Sequence, residues 1–122
     1  MKVNLTTTLK NKNENNIITN KVIGEIKKDK ILFEIDKDKY ILKKESPKKV
    51  ILNRNNDIIE STMYFEKNKN TNATYTMKKE EYNIEIEIKT IYLNITENKI
   101  DIHYQVIDSK DIYEYCIEMS EI

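Results

Sequence analysis

The chain has 122 residues, and its 21 basic residues (lysine and arginine) are balanced by 21 aspartates and glutamates. That length supports one modest hydrophobic core, so we expect a single domain over residues 1–122. A net charge of zero gives no electrostatic reason to expect nucleic acid or anionic lipid as a partner. One cysteine, one histidine and one glycine exclude an internal disulfide, a Cys/His zinc site and a glycine-rich phosphate loop, so we expect no cofactor.

The N-terminal residues reach polar side chains at once and lack the apolar segment of a secretory signal. The longest apolar runs are triplets such as Ile31-Leu32-Phe33, which are too short to span a membrane. These features predict a protein of the reducing cytoplasm with no membrane partner.

Apolar and polar residues alternate through the first half of the chain, which is typical of strands with one buried face. The predicted strands cover residues 3–9, 18–27, 31–35, 39–44 and 49–54. Gly24 predicts a bend in the second strand, and Pro47, which has no N–H, is expected between the fourth and fifth.

The same alternation continues in the second half, where it predicts strands over residues 59–66, 72–78, 82–95, 100–106 and 113–119. In the third of these, Tyr82, Ile84, Ile86 and Ile88 share one face, which we expect to point inward. The phase changes at Thr90, and a β-bulge there would return Ile91, Leu93 and Ile95 to the inner face.

Nine or ten short strands joined by short polar turns indicate an antiparallel meander, since no long segment has a helical apolar period. An open meander of this size would leave two adhesive edges, whereas closure removes them. The sequence therefore predicts an all-β fold, a small closed or nearly closed up-and-down barrel of 8–10 strands.

From Leu52 onward, the order of short motifs resembles that of the YwiB-like bacterial proteins, a family of unknown function. The motifs are Leu52-Asn53-Arg54, Ser61-Thr62-Met63-Tyr64-Phe65-Glu66, Tyr75-Thr76, Lys89-Thr90 and Ile100-Asp101-Ile102-His103-Tyr104. The resemblance implies a calycin-type, lipocalin-like β-barrel and no known activity. Asn55-Asn56 and residues 79–81 stand where family members tend to have glycines, so the turn types differ.

Catalytic groups are sparse. His103 and Asp101 lie two residues apart on the predicted outer face, where a carboxylate can orient an imidazole. The available nucleophiles, Ser61, Ser109 and Cys116, do not lie beside a glycine at a strand-to-helix turn. We therefore interpret His103 and Asp101 as solvated surface residues and expect no enzyme activity.

The inward phase places four tyrosines on the same face as Ser61, namely Tyr75, Tyr82, Tyr104 and Tyr115. Aromatic bodies with a few hydroxyls suit a small amphipathic ligand, or they simply fill the core. Arg54, the only arginine, has a planar fork that suits a ligand carboxylate at the barrel mouth or a salt bridge at the barrel end.

The sequence thus favours a cytoplasmic barrel that binds a small hydrophobic or amphipathic ligand through Arg54, Ser61 and the inward tyrosines. The alternative is a protein or RNA interaction module with a solid core, using a strand edge, exposed aromatics such as Tyr64 and Tyr92, or a homodimer surface. An apolar cavity of at least ~300 Å³ near Arg54 would favour the first hypothesis.

Overall fold

The computed structural model describes residues 1–122 as ten strands joined by tight turns. The strands are β1 (Lys2–Asn11), β2 (Asn16–Lys27), β3 (Lys30–Ile35), β4 (Asp38–Ser46), β5 (Lys49–Asn55), β6 (Ile59–Glu66), β7 (Asn70–Met77), β8 (Tyr82–Ile95), β9 (Lys99–Val106) and β10 (Ile112–Glu121). The structure contains no helix that could span a membrane. The predicted all-β class is confirmed.

Each strand pairs antiparallel with the next along the chain, and β10 pairs with β1, which closes the barrel. The alternation in sequence becomes an alternation of faces: in β9, Ile100, Ile102 and Tyr104 are buried, whereas Asp101 and His103 between them are only half-buried. Sixteen buried apolar residues form one core cluster inside the barrel. Burial of each such aliphatic or aromatic side chain stabilises the fold by about 1.5–3 kcal/mol.

The turns fold without glycine. Six residues with left-handed backbone lie at turns, and they are Asn15, Lys28, Asp36, Asn68, Glu81 and Lys110. Asparagine and aspartate tolerate that conformation better than most residues, but lysine and glutamate do so only at a cost. Glu81 lies in the 79–81 segment, where the family resemblance suggested a glycine, so the turn is kept without the usual residue.

The bulge predicted near Thr90 is confirmed, with one difference. The pairing of β8 with β9 shifts between Thr90 and Tyr92, so Ile91 is the extra residue. Leu93 is thereby buried, but Ile91 lies 43% exposed on the outside, contrary to the prediction that it would return to the inner face. A bulged residue has no cross-strand partner and is free to point outward.

Tyr82 and Ile84 have the predicted inward phase, but the burial expected of that face is wrong for them. They share a face with Ile88, but Tyr82 is 59% exposed and Ile84 is 41% exposed. The reason is length: β8 pairs with β9 only from Ile88 onward, so the first residues of β8 pair with β7 alone and extend past β9. These side chains consequently lie beyond the wall that would have buried them.

Near Gly24, β2 separates from β3. The two strands pair only through residues 25–27 of β2, while β1 pairs with β2 along its whole length. The backbone of Gly24 is not left-handed, and a Cβ there would clash with the Leu5 side chain and lie 3.0 Å from the Leu32 carbonyl oxygen. Close packing on Leu5, rather than a bend, therefore explains this glycine.

We expect Gly24→Ala to lower the free energy of unfolding by about 1–3 kcal/mol, because the added methyl group overpacks the Leu5 contact. Denaturant unfolding followed by circular dichroism measures the change. At a position with room the same substitution would stabilise the protein by about 0.4–1 kcal/mol. Stabilisation of the Gly24→Ala variant would therefore contradict the close-packing explanation.

Candidate ligand cavity

A cavity of about 320 Å³ lies inside the barrel, near the turns that join β3 to β4 and β5 to β6. Ten of its fourteen lining residues are hydrophobic. The lining comprises Thr7, Leu9, Ile18, Asn20, Ile35, Tyr40, Leu52, Arg54, Ser61, Met63, Phe65, Tyr75, Tyr104 and Tyr115. A larger groove, of about 640 Å³, lies where β2 and β3 separate, but it is shallow and open to solvent.

The polar part of the cavity wall is a row of side chains from four consecutive strands. Tyr40 of β4 is directly opposite Arg54 of β5, Arg54 is opposite Ser61 of β6, and Ser61 is opposite Tyr75 of β7. Residues directly opposite in an antiparallel pair have Cβ atoms about 4.5–5.5 Å apart. The strand register therefore brings one guanidinium and three hydroxyls together along one side of the cavity.

Arg54 is the last inward residue of β5, and it forms an ion pair with Asp38. Its Nε donates to Asp38 Oδ2 at 2.9 Å, and its Nη2 lies 2.8 Å from the same oxygen. The barrel-end salt bridge considered for Arg54 is thus present. No hydrogen bond within the protein uses Nη1, so this nitrogen has no partner and Arg54 borders the cavity with a free donor.

A polar network fixes the rim around this ion pair. The Asn56 Nδ2 donates to Asp38 Oδ1 at 2.6 Å, and the Asn56 Oδ1 accepts from the backbone N–H groups of Ile58 and Ile59. The Lys78 Nζ donates to the Asn56 carbonyl oxygen at 2.7 Å. These hydrogen bonds connect three hairpin turns around the mouth of the cavity.

The tyrosines that border the cavity sit in a poorly solvated environment. Burial raises the pKa values of Tyr75, Tyr104 and Tyr115 above the ordinary value of 10.0, and it does the same for Tyr40 despite the opposing effect of Arg54. No side-chain hydrogen bond within the protein involves a tyrosine hydroxyl. These hydroxyls are consequently neutral donors available to a molecule in the cavity.

A second, mostly apolar cavity of about 350 Å³ lies next to the first. The two share Met63, Tyr75 and Tyr104 as a common wall. On the far side, Tyr104 stacks on Tyr113 with ring centroids 5.3 Å apart. Methionine is flexible and fills irregular gaps, so Met63 is the part of this wall that adjusts most easily.

Five of the six residues predicted to contact a ligand line the cavity: Arg54, Ser61, Tyr75, Tyr104 and Tyr115. Tyr82 does not, since it lies exposed on the projecting β7–β8 hairpin. The sequence analysis missed Tyr40 and Asp38. Tyr40 has the same inward phase as the buried Leu42, so the sequence could have identified it as a residue of the cavity wall. No signal in the sequence indicates that Asp38 pairs with Arg54.

His103 and Asp101 lie on the outer face, as predicted. The His103 Nε2 is 3.2 Å from Asp101 Oδ1 and 3.3 Å from Glu114 Oε2, and the imidazole packs on Tyr92. None of the residues in this cluster borders the cavity. No group of three or more histidine, cysteine, aspartate or glutamate side chains is arranged to hold a metal ion.

Comparison with known proteins agrees with this barrel. A family model described as "Domain of unknown function (DUF1934)" matches residues 3–119. The crystal structure of the ywiB protein from Bacillus subtilis is similar, with a TM-score of 0.69 and 18% sequence identity, over 99% of this chain and 90% of that chain. At that identity the likeness shows the fold alone, and no curated protein matches. The resemblance to YwiB-like proteins is confirmed, and the chain belongs to the DUF1934 family, whose function is unknown.

Proposed function

We propose that this protein binds a small hydrophobic or amphipathic ligand inside the barrel, in the manner of calycin-type barrels. The observation that supports the proposal best is the cavity of about 320 Å³ beside Arg54. Ligand pockets usually measure about 300–1,000 Å³, so this one suits a ligand at the small end of the range. A barrel of ten strands is also wider than one of eight, which leaves room that side chains do not fill.

The lining indicates how such a ligand is held. Its apolar body packs between Leu52, Met63 and Phe65, which bury its surface. Its polar end accepts hydrogen bonds from the hydroxyls of Ser61 and Tyr75 and from Arg54 Nη1. The Asp38 carboxylate compensates part of the guanidinium charge, so the site can take a neutral acceptor, but an ionised carboxylate gains more from Arg54.

The setting that we propose is the bacterial cytoplasm. Its support is the free thiol of the single cysteine, Cys116, and the bacterial source of the similar barrel. The proposal is of binding without catalysis, since the reactive groups at the cavity are hydroxyls, and burial raises the pKa values of those of Tyr75 and Tyr104.

Native mass spectrometry of the purified protein tests the proposal most directly. We expect a species heavier than the polypeptide by the mass of a small organic molecule, which denaturation releases. Decanoic acid and decanol then serve as defined probes in isothermal titration calorimetry, since both have an apolar body and a polar end. Absence of a co-purifying molecule together with no binding of either probe would overturn the proposal.

A cavity-filling variant links binding to this site. Ser61 is buried at the centre of the polar row, and Ser61→Phe places a ring in the cavity. We expect the dissociation constant for the bound probe to rise at least about tenfold, equivalent to about 1.4 kcal/mol. Glu60→Phe is the matched control, because Glu60 is exposed on the same strand, and it should bind as the wild type does.

Arg54→Ala separates the role of the guanidinium from that of the cavity. We expect a larger loss of affinity for decanoic acid than for decanol, because both accept a hydrogen bond from the guanidinium but only the acid carries a charge that pairs with it. Unchanged affinity for decanoic acid would show that Arg54 is not an anchor, even with the cavity occupied.

A further inference from the structure

One edge of β2 has no partner strand over residues 17–23. Met1 and Ile26 exchange backbone hydrogen bonds, so in β2 the N–H and C=O groups of even-numbered residues point toward β1. The odd-numbered residues therefore point to the opposite edge, where β3 pairs only with residues 25–27. This leaves the backbone groups of Ile17, Thr19, Lys21 and Ile23 unpaired at the edge.

That edge lacks the features that normally protect an exposed strand. About one third of the whole chain is charged, but residues 15–24 contain a single charge, Lys21. The segment has no proline, and its pairing with β1 has no bulge. Ile17 and Ile23 are 57% and 61% exposed on its outer face. Strands of this kind, with high β-propensity and little charge, readily add another strand.

The edge is complementary to itself in one antiparallel register. With the twofold axis at Asn20, Ile17 lies opposite the partner's Ile23, and Thr19 lies opposite the partner's Lys21. All four unpaired residues then donate one hydrogen bond and accept one. Moving the axis to Lys21 would oppose two like charges, and moving it to Thr19 would place Ile17 against a lysine.

The rest of the molecule permits this contact. No other strand covers this edge, because β2 and β3 diverge and leave an open groove beside Ile23. Since the net charge is zero, two copies do not repel each other at long range. Self-pairing also covers both exposed isoleucines, which an arbitrary extended peptide would do only by chance.

We propose that β2 is a dimerisation strand, through which two copies of this chain join their barrels in one continuous sheet. The axis lies at Asn20, so the partner's Val22 comes to lie beside Ile18, at the edge of the cavity. The inference does not depend on ligand binding and would stand if the cavity proved empty.

Cross-linking tests both the contact and its register. In a Cys116→Ser background, Asn20→Cys places two thiols at a non-hydrogen-bonded pair whose Cα atoms are about 4.5 Å apart, close enough for a disulfide. Ile18→Cys is the matched control on the same face of the same strand. In the proposed register its two copies are about 13 Å apart, too far to join. We expect mild oxidation to cross-link only the Asn20→Cys variant.

A second variant tests the edge without altering the fold. Thr19→Pro removes an N–H that points away from β1, so the β1–β2 pairing is kept while the dimer loses two hydrogen bonds, one from each copy. We expect the dimer dissociation constant, measured by analytical ultracentrifugation, to rise about tenfold or more. A wild-type protein that stays monomeric up to roughly 1 mM, or equal cross-linking of both cysteine variants, would overturn the proposal.

Discussion

Replacement of Phe65 by alanine is expected to lower the free energy of unfolding by about 3–5 kcal/mol. Phe65 is completely buried on β6, and its ring centroid lies 5.1 Å from that of Tyr104. It also forms part of the cavity wall, so the space left by its ring joins an existing cavity instead of closing. Domains of this size have only about 5–15 kcal/mol of stability, so the variant should be close to unfolding.

Urea unfolding followed by circular dichroism measures this loss. Tyr64→Ala is the matched control, since Tyr64 is the preceding residue on the same strand but lies 38% exposed on the outer face. We expect the control to lose less than about 1 kcal/mol, as is usual for surface substitutions. Equal losses in the two variants would contradict the structure, in which Phe65 lies on the buried face of β6 and Tyr64 on the outer face.

The alternation of apolar residues was sufficient to predict the barrel because a strand has a strict period of two. Arg54, Ser61 and Tyr75 all have the inward phase, and hairpin turns of fixed length bring them opposite one another. That part of the candidate site follows from local sequence and turn length alone. Register between neighbouring strands is strongly determined wherever one face is buried.

The wrong predictions concern exposure and bulge position, which depend on pairing with residues distant in sequence. The phase of Tyr82 gave its face correctly, but its exposure depends on where β9 begins to pair with β8. The phase change at Thr90 predicted a bulge, but the residue that is extruded, Ile91, depends on the same pairing. Periodicity within a strand carries no information about the ends of its neighbours.

The sequence also could not predict whether the interior of the barrel is open. The inward tyrosines were compatible with either a ligand or a filled core, and the structure has a cavity of about 320 Å³. The girth of a barrel depends on the number of strands and on their stagger, and the alternation predicted the number but not the stagger. The pairing of Asp38 with Arg54 joins residues 16 apart, and it required the actual position of the β3–β4 turn.

Alkaline pH is expected to destabilise the protein steeply through its buried tyrosines. Burial raises the pKa values of Tyr104 and Tyr115 in the folded state above the ordinary 10.0. Below about pH 10 these groups are neutral in both states and have no effect on stability. Above it, the unfolded chain loses protons while the folded barrel keeps them, so stability falls as pH rises. The loss is about 1.4 kcal/mol per pH unit for each of the two tyrosines.

Urea unfolding at several pH values between about 9 and 12 measures the slope. Tyr40 and Tyr75 add to it in the same direction, since burial raises their pKa values too. In the double variant Tyr104→Phe/Tyr115→Phe, the fall in stability with pH should be shallower by about 2.8 kcal/mol per pH unit. The matched control, Tyr64→Phe/Tyr82→Phe, changes two exposed tyrosines and should keep it. A wild-type stability that stays constant across this range would mean that the tyrosines around the cavity are as well solvated when folded as when unfolded.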